Sequence, residues 1–260
     1  TEAMLRYYIN KAVGPFNLLK PDVLISVPSG VTSTERRAVI ESAGKAGARN
    51  AYVVKESILA AIGAGIPIQE PTGRMIVDIG GGTTDVAVIS LGGIVCSNSV
   101  KCAGNKMDQA IIDYVKKNYN LAIGEQMAEY IKIEIGAALP IEPQLVVKVK
   151  GRDIVTGLPK TIELYSNEIV KALDKELRQM VKAIKDVMQE TPPELASDII
   201  DNGVILTGGS SQLRMLPELI EKKTGVKAYT ANEALFCVAK GTGVILNHLD
   251  LYKKSVISKR

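Results

Sequence analysis

A run of three glycines lies between two acidic residues in segment 78–85, which begins at Asp78 and ends at Asp85. Because glycine has no Cβ, backbone N–H groups in such a turn can approach an anion closely, and the hydroxyls of Thr83 and Thr84 can add hydrogen bonds. The segment lacks the Gly-Lys-Ser/Thr of a Walker loop and the spacing of a dinucleotide fingerprint. We interpret it as a phosphate-binding turn, in which Asp78 reaches the water shell of a Mg²⁺ ion held by phosphates. The alternative is a plain glycine-rich hairpin turn, which would need only one or two glycines.

A second glycine turn, at Gly208 and Gly209, follows a strand pattern and precedes a helical pattern. A turn at a helix N-terminus directs free N–H groups and the positive end of the helix dipole outward, which suits a phosphate or a ribose. Many strand-to-helix turns in α/β proteins share this pattern. The second turn is therefore informative mainly in combination with the first.

Three further charged residues could contribute to the same site. Glu129 and Lys132 form an i,i+3 pair on a predicted helix, and such a pair is ordinarily a solvated surface contact. Glu56 follows a strand pattern and precedes a short helix rich in alanine. There it is either a first-turn acid favoured by the helix dipole or a carboxylate that orients a water molecule.

The composition is that of a globular protein, with 46% apolar and 23% charged residues in a chain of 260 residues. The formal net charge of +4 comes from scattered lysines and arginines without a basic block, so we expect no nucleic-acid partner. The single histidine, His248, excludes a histidine-rich metal site and argues against a Ser-His-Asp triad. The longest apolar run, at 58–68, is shorter than the roughly 20 residues that a membrane-spanning helix needs.

The three cysteines, Cys96, Cys102 and Cys237, have no Cys-x-x-Cys spacing, which argues against a disulfide framework and against a zinc site. We therefore expect reduced thiols in a cytoplasmic protein. The chain begins at Thr1 rather than methionine and has no signal-peptide pattern, so we expect that an upstream part is missing.

The elements that must position these residues follow an α/β order. Residues 1–13 carry a helical apolar stripe, a strand pattern follows at 23–27, and Thr32 with Glu35 forms a capping box that opens the next helix. A strand at 51–54 and a helix at 58–64 complete a first unit, for which we predict a parallel sheet.

The pattern then restarts as a second unit, in which strands at 75–79, 83–90 and 94–100 predict an antiparallel meander. An inserted helical and hairpin subdomain is predicted at about 108–168. The remaining predicted elements are helices at 105–119 and 125–138, a hairpin at 145–165 with its turn at Gly151, Arg152 and Asp153, a long helix that ends before Pro192, a strand at 204–206, and helices at 211–223 and 234–246.

Five segments resemble the MreB/Mbl family of bacterial actin homologues, namely 78–85, 104–108, 128–136, 156–159 and 191–195. Segments 27–30, 35–37 and 206–211 fit the same family, and the resemblance extends from about residue 1 to residue 250. It implies an α/β, actin-like (ribonuclease H-like) ATPase fold, with two lobes and ATP in the cleft between them. The implied activity is hydrolysis of ATP to ADP and phosphate, with Mg²⁺ as cofactor.

The resemblance also assigns roles to individual residues. Glu56 matches the catalytic glutamate, which with Thr83 would position the attacking water, and Asp78 would lie at the water shell of Mg²⁺. Leu18 and Leu19 match a small hydrophobic loop that inserts into the inner membrane, and the flanking Lys11 and Lys20 suit anionic lipid; the alternative is a buried turn. The implied ATP-binding residues are Gly80, Gly81, Gly82, Thr83, Glu129, Lys132, Gly208 and Gly209.

The family pattern predicts five parts along the chain. Residues 1–70 belong to the core of the first lobe, 71–107 to the core of the second lobe with its phosphate loop, 108–168 to the inserted subdomain, 169–235 to the second-lobe core again, and 236–260 return to the first lobe. The first phosphate loop of actin-like ATPases would lie upstream of Thr1, so the N-terminal lobe is expected to be incomplete in this chain. Without that loop we expect weak nucleotide binding and poor hydrolysis.

Three positions depart from the family pattern. Lys55-Glu56-Ser57 stands where Glu-Glu-Pro is common, Asn105 replaces a frequent aspartate, and Ser210 replaces a frequent third glycine. The first of these departures could set the loop of Glu56 differently, whereas the other two keep the chemistry of the site.

The implied function is that of a cytoskeletal ATPase that polymerises into membrane-associated filaments and directs rod cell shape and cell-wall synthesis. Its implied partners are further copies of itself, the inner membrane surface, and cell-wall synthesis and shape proteins, and its implied location is the cytoplasmic face of the membrane. One alternative is a non-polymerising actin-fold ATPase, such as a chaperone ATPase domain or a sugar kinase. A chaperone would carry a peptide-binding domain after residue 260, and a sugar kinase needs an aspartate base that we cannot assign. Another alternative is a structural subunit that binds nucleotide without hydrolysing it.

Overall fold

The first part of the chain folds around a small parallel sheet. A computed structural model describes residues 2–14, 20–252 and 256–258. Strands β1 and β2 pair in parallel, from Asp22 opposite Asn50 to Val27 opposite Lys55, as the sequence predicts. The elements of this part are α1 (Glu2–Val13), β1 (Asp22–Val27), α2 (Ser33–Lys45), β2 (Asn50–Lys55) and α3 (Glu56–Gly63).

Helix α2 begins at the predicted capping box. The backbone N–H of Glu35 donates to Thr32 Oγ1 at 3.2 Å, and the backbone N–H of Thr32 donates to Glu35 Oε2 at 2.9 Å. Both otherwise unsatisfied donors of this helix end are thereby paired, which fixes where α2 starts after the turn that follows β1.

The second part contains a larger sheet and the helices that cover it. The elements that follow α3 along the chain are β3 (Arg74–Ile79), β4 (Thr84–Ser90), β5 (Gly93–Val100), α4 (Gly104–Tyr119), β6 (Leu121–Ala122), α5 (Glu125–Ile135), β7 (Val146–Asp153), β8 (Pro159–Tyr165), α6 (Ser166–Glu190), α7 (Pro193–Asn202), β9 (Val204–Thr207), α8 (Leu216–Thr224), β10 (Ala228–Thr230), α9 (Cys237–Asn247) and β11 (Ile257–Ser258). Of these, α9 and β11 return to the first part.

Three sheets organise these strands. The five-stranded sheet has the order β10-β9-β3-β4-β5, with the predicted antiparallel meander β3-β4-β5 and with β9 parallel to β3. Strands β6, β7 and β8 form an antiparallel sheet, and β11 adds to the first sheet antiparallel to β2. The five-stranded sheet of this α/β structure therefore combines parallel and antiparallel pairing around its central strand, β3.

Several predicted boundaries are wrong. Gly151, Arg152 and Asp153 lie in β7, and the hairpin turns at 154–158 instead. The Asp153 carboxylate accepts the backbone N–H groups of Val155 and Thr156, and Gly157 supplies a positive φ of 74°. Helix α5 ends at Ile135, before Gly136 rather than at 138. The predicted helix at 211–223 is a 3₁₀ turn over Gly209–Gln212 followed by α8, and the helix at 234–246 begins with a 3₁₀ turn before α9. Helix α7 and strand β10 were not predicted.

Strands β3 and β4 are buried on both faces, which explains their nearly continuous apolar sequence. Met75 and Val77 join one core cluster with helices α4, α5 and α6, whereas Ile76 joins a second cluster with Leu59 of α3 and Ile245 of α9. Since side chains alternate along a strand, Asp78 lies on the same face as Ile76. The strand period therefore directs this carboxylate toward α3.

Helices α3 and α9 cross so closely that their backbones are in contact. A Cβ built on Gly63 would lie 1.8 Å from the carbonyl oxygen of Cys237, and one built on Gly241 would lie 1.9 Å from that of Leu59. Only glycine fits at these two positions, because any side chain would have to push the helices apart. The crossing holds α3, which begins with Glu56, against the C-terminal helix α9.

Candidate functional site

The glycine turn of segment 78–85 is a tight connection between β3 and β4. Asp78 pairs with Asp85 and Ile79 with Thr84 in the antiparallel ladder, so that residues 80–83 form the turn. The Gly80 N–H donates to the Thr83 carbonyl at 3.0 Å, which closes it. A Cβ on Gly82 would meet no atom within 4 Å, so the tip of the turn is open.

The same turn supplies the N-terminal cap of α4. The backbone N–H of Gly104 donates to the Gly80 carbonyl at 3.1 Å, and that of Asn105 donates to the Gly81 carbonyl at 2.8 Å. Residue Ala103 offers no side-chain cap, so these carbonyls satisfy N–H groups that a helix start leaves unpaired. The two peptide groups are thereby fixed in orientation before any ligand is present.

The second glycine turn packs directly on the end of β3. Gly208 has a φ of 84°, and a Cβ there would lie 2.3 Å from the Ile79 carbonyl oxygen, so this position requires glycine on both counts. The Ser210 hydroxyl donates to the Gly80 carbonyl at 2.8 Å. The Ser210 side chain therefore links the two turns, which the sequence did not indicate.

Two carboxylates face each other across the β3–β4 ladder. Asp78 is 6% exposed and its Oδ1 accepts the Thr207 hydroxyl at 2.8 Å. Asp85 is fully buried, and its Oδ1 accepts the backbone N–H of Ser29 at 2.7 Å. Its Oδ2 has no hydrogen-bond partner among the residues that the structure describes. Burial raises the pKa of Asp78 to about 6, against the lowering effect of the Thr207 hydrogen bond and helped by the nearby Asp85 charge.

Glu56 is the first residue of α3, which directly follows β2 of the first sheet, and the charges of Asp78 and Asp85 act on its carboxyl group. Its Oε1 accepts the Ser26 hydroxyl at 3.4 Å. Burial, together with the charges of Asp85 and Asp78 and against the lowering effect of the Ser26 hydrogen bond, raises the pKa of Glu56 to about 7. The negative charges of Asp85 and Asp78 thus act on Glu56 where the first sheet meets the five-stranded sheet, and their repulsion favours its protonated form.

Lys132 and Glu129 do not form the surface pair that their spacing suggests. Lys132 Nζ lies 2.8 Å from Asp108 Oδ1, and both side chains are about one-seventh exposed or less, whereas Glu129 is exposed. Lys132 Nζ also donates to the Gly104 carbonyl at 3.4 Å. Lys132 of α5 therefore pairs with Asp108 of α4. Spacing along the chain does not indicate this ion pair, although Asp108 lies in segment 104–108, one of the segments that resemble the MreB/Mbl family.

One cavity of about 1090 Å³ is lined by every residue for which the family resemblance implies a nucleotide or magnesium role. The predicted residues that line it are Glu56, Asp78, Gly80, Gly81, Gly82, Thr83, Glu129, Lys132, Gly208 and Gly209. The same cavity is lined by Pro28, Gly104, Asn105, Asp108 and Ser210, and by apolar side chains that include Ile133 and Leu235. Thr84, whose hydroxyl we expected to bind phosphate, is instead fully buried and donates to the Cys102 carbonyl at 2.7 Å. Leu18 and Leu19 lie outside the described residues, so their expected membrane contact stays a prediction.

The family model for MreB/Mbl protein matches residues 1–254. The chain belongs to this family. It is 46% identical over 258 residues to the cell shape-determining protein Mbl of Bacillus subtilis, an alignment covering 99% of this chain and 78% of the relative. It is also 46% identical over 260 residues to the cell shape-determining protein MreB of Escherichia coli K12, covering 100% of this chain and 75% of that protein.

Solved MreB structures share the fold. MreB5 of Spiroplasma citri bound to ADP superposes with a TM-score of 0.91 at 36% identity, covering 97% of this chain and 76% of the other. The MamK double helical filament gives a TM-score of 0.80 at 19% identity, covering 95% of this chain and 74% of that one, and shows a common fold only. The actin-like fold expected from the sequence is thereby confirmed.

The carboxylates of this MreB/Mbl chain fit a magnesium ion that is bound through water. Carboxylate oxygen is the ligand class that Mg²⁺ prefers, and the ion usually keeps several waters when phosphates also bind it. Within residues 2–14, 20–252 and 256–258, no set of three or more His, Cys, Asp or Glu side chains is arranged to hold a metal directly. The buried, unpaired Oδ2 of Asp85 and the raised pKa of Asp78 are the features that a nearby cation would relieve.

No helix in the described part of the chain is long and apolar enough to cross a membrane.

Proposed function

We propose that this MreB/Mbl chain is an actin-like cytoskeletal ATPase that binds ATP in the 1090 Å³ cavity and polymerises in a nucleotide-dependent way. One observation carries the proposal: two glycine turns, joined by the Ser210 hydroxyl, line the same cavity as the carboxylates of Glu56 and Asp78 and the ammonium group of Lys132. Glycine turns suit phosphates, and the polar rim suits a ribose. The names of the two MreB5 structures, with ADP and with AMPPNP, support the choice of adenine nucleotide.

Within this proposal the glycine turns bind the phosphates, while Glu129 and Lys132 bind the ribose. Asp78 orients water molecules around Mg²⁺, which, when bound, neutralises charge on the phosphates. Lys132 is held in place by Asp108, so its ammonium group is already positioned at the wall of the cavity.

The attacking water is positioned by Glu56 and Thr83. In phosphoryl transfer, positioning and charge stabilisation dominate over covalent chemistry, so a carboxylate that orients water is sufficient. A pKa of about 7 leaves a substantial fraction of Glu56 ionised near neutral pH, which suits a residue that accepts a proton from water.

The finer parts of the proposal rest on the family resemblance. These parts are the division into subdomains at 1–70, 71–107, 108–168, 169–235 and 236–260, the contact of Leu18 and Leu19 with the inner membrane, a cytoplasmic location at that membrane, and partners among cell-wall synthesis and shape proteins. Lys11 and Lys20, which flank the expected membrane loop, are both exposed, as a contact with anionic lipid requires.

The proposal is tested by measuring ATP binding, ATP turnover and sedimentation with Mg²⁺ for the wild-type protein and for Glu56→Ala. We expect Glu56→Ala to retain ATP binding and to lose at least tenfold in turnover, because only the positioning of water is removed. Glu134→Ala serves as the control, since Glu134 is exposed on α5 and does not line the cavity.

Three outcomes separate the alternatives. Turnover without pelleting would favour a non-polymerising actin-fold ATPase, and pelleting with ATP binding but without turnover would favour a structural subunit. Absence of ATP binding would contradict the proposal, provided that the chain extended by the family's upstream phosphate loop also fails to bind. The extended chain is expected to bind ATP more tightly than the 260-residue chain.

A further inference from the structure

A second cavity, of about 550 Å³, lies between α6, α8 and the segment that follows α5, and shares no lining residue with the nucleotide cavity. Its volume falls within the roughly 300–1,000 Å³ typical of pockets that bind a ligand or a set of side chains. Nothing in the proposed ATPase function uses it.

The floor of this groove is apolar and recessed. Val170, Leu177 and Val181 lie on one face of α6 at helical spacing, and Leu219 of α8 and Leu139 complete the floor. Leu177, Val181 and Leu219 are 3%, 8% and 7% exposed. A partner can contact this recessed floor only with apolar side chains that project into the groove. A partner with a flat surface could not contact it.

The rim of the groove is basic. Five of its six charged residues are cationic, with Asp174 as the exception; the cations are Arg178, Lys182, Lys185, Lys222 and Lys223. Arg178 pairs with Asp174 and Lys182 with Asp186, each as an exposed i,i+4 pair. For Lys185, Lys222 and Lys223, no carboxylate of the described residues lies within 4.0 Å.

We propose that this groove docks an acidic amphipathic helix of a partner protein. Such a helix would place apolar side chains at i, i+3, i+4 and i+7 on the floor and direct its glutamates or aspartates to the lysines of the rim. An apolar floor supplies the binding free energy, and the surrounding charges of one sign select the charge of the partner. Acidic residues on the helix would pair the three rim lysines that otherwise have no carboxylate.

Two other classes of ligand fit this groove less well. An anionic membrane needs apolar side chains that protrude into it, whereas the apolar floor is recessed between two helices. Single-stranded nucleic acid stacks on aromatic side chains, and none of the lining residues is aromatic.

The test uses two designed, fluorescein-labelled 18-residue peptides that carry leucines at i, i+3, i+4 and i+7, one with glutamates and the other with lysines elsewhere. Fluorescence anisotropy with the full chain is expected to show at least tenfold tighter binding of the glutamate peptide at low salt. The double variant Lys185→Glu/Lys222→Glu should bind the glutamate peptide at least tenfold more weakly and should prefer the lysine peptide. Lys116→Glu/Lys117→Glu, at the exposed end of α4, makes the same charge change outside the groove and should leave binding unchanged.

Circular dichroism and cooperative urea unfolding establish that each variant is folded. Equal binding of the two peptides by the wild-type protein overturns the proposal, as does a glutamate preference that survives in Lys185→Glu/Lys222→Glu. Co-sedimentation with phosphatidylglycerol vesicles that depends on these two lysines, without peptide binding, overturns it in favour of a membrane contact.

Discussion

The pKa of the Glu56 carboxyl group depends on two neighbouring carboxylates as well as on burial. Asp78 and Asp85 are direct neighbours in the β3–β4 ladder, where like charges repel, and both raise the pKa of Glu56 beyond the effect of burial. The register of the β3–β4 hairpin, whose turn is at 80–83, places Asp78 opposite Asp85 and hence on one face. The position of Glu56 near these two residues could not be derived in this way. Glu56 begins α3, which follows a strand of another sheet, and its position depends on how α3 packs.

Replacement of Glu56 by glutamine should flatten the pH dependence of stability. The pKa of Glu56 is about 7 in the fold against 4.5 for an unperturbed group, so between these values the folded protein binds more protons than the unfolded chain. The free energy of unfolding therefore falls as pH rises from about 4.5 to 7, and Asp78 contributes in the same direction up to about pH 6. Urea unfolding at pH 5.0 and 8.0, without nucleotide, should show a smaller loss for Glu56→Gln than for wild type.

Glu134→Gln is the matched control for this experiment, because Glu134 is exposed on α5. It should reproduce the wild-type pH dependence. Parallel stability curves for wild type and Glu56→Gln would show that Glu56 does not take up a proton on folding in this range.

The crossing of α3 and α9 is the element contact on which the position of Glu56 depends. At Gly63 and Gly241 the backbones meet with no room for a Cβ, and the second core cluster surrounds this contact. The N-terminus of α3 is therefore held by packing along the whole helix rather than by its own capping, since Lys55 makes no side-chain cap.

Gly241→Ala should destabilise the protein strongly, by about 3 kcal/mol or more, because the new methyl group would lie 1.9 Å from the Leu59 carbonyl oxygen. Gly243→Ala lies on the same helix, where a Cβ meets no atom within 4 Å, and should be neutral or stabilising by about 0.5–1 kcal/mol. Urea denaturation of the two variants measures the difference. Equal stability of both variants would mean that the helices separate easily at this point.

The sequence predicts elements well where a local signal decides their ends, and less well elsewhere. The capping box of α2 and the meander β3-β4-β5 follow from residues a few positions apart. The hairpin turn was misplaced because Gly151 resembles a turn residue, although it lies in a strand where a Cβ would meet the Ala122 carbonyl oxygen at 2.5 Å. The link from Ser210 to Gly80 joins segments that are distant in sequence, so no local pattern could indicate it.

The proposed nucleotide cavity is lined by residues from separate parts of the molecule. Glu56 comes from the junction of β2 and α3, the two glycine turns come from the five-stranded sheet, and Glu129 and Lys132 come from α5. A ligand that touches all of these parts at once would link them. Its binding should therefore appear as an increase in the stability of the entire fold.

Saturating ADP with Mg²⁺ should raise Tm, since a ligand at about 100 times its Kd adds about 2.7 kcal/mol to the free energy of unfolding. Glu129→Ala should leave Tm without nucleotide unchanged, because Glu129 is exposed, and should reduce the increase caused by ADP. Differential scanning fluorimetry across an ADP titration measures both quantities. Glu134→Ala should behave as wild type; a full ADP response in Glu129→Ala would contradict the proposed ribose contact.

The central place of β3 in its sheet has a consequence for biosynthesis. One neighbour, β4, follows immediately, but the other, β9, contributes Thr207, which lies 129 residues after Asp78. While the ribosome makes the intervening segment, one edge of β3 has no strand beside it, and such edges favour pairing with other chains. The nascent protein is thus expected to pass through an aggregation-prone stage, which ends only when the second glycine turn has been synthesised and β9 can insert.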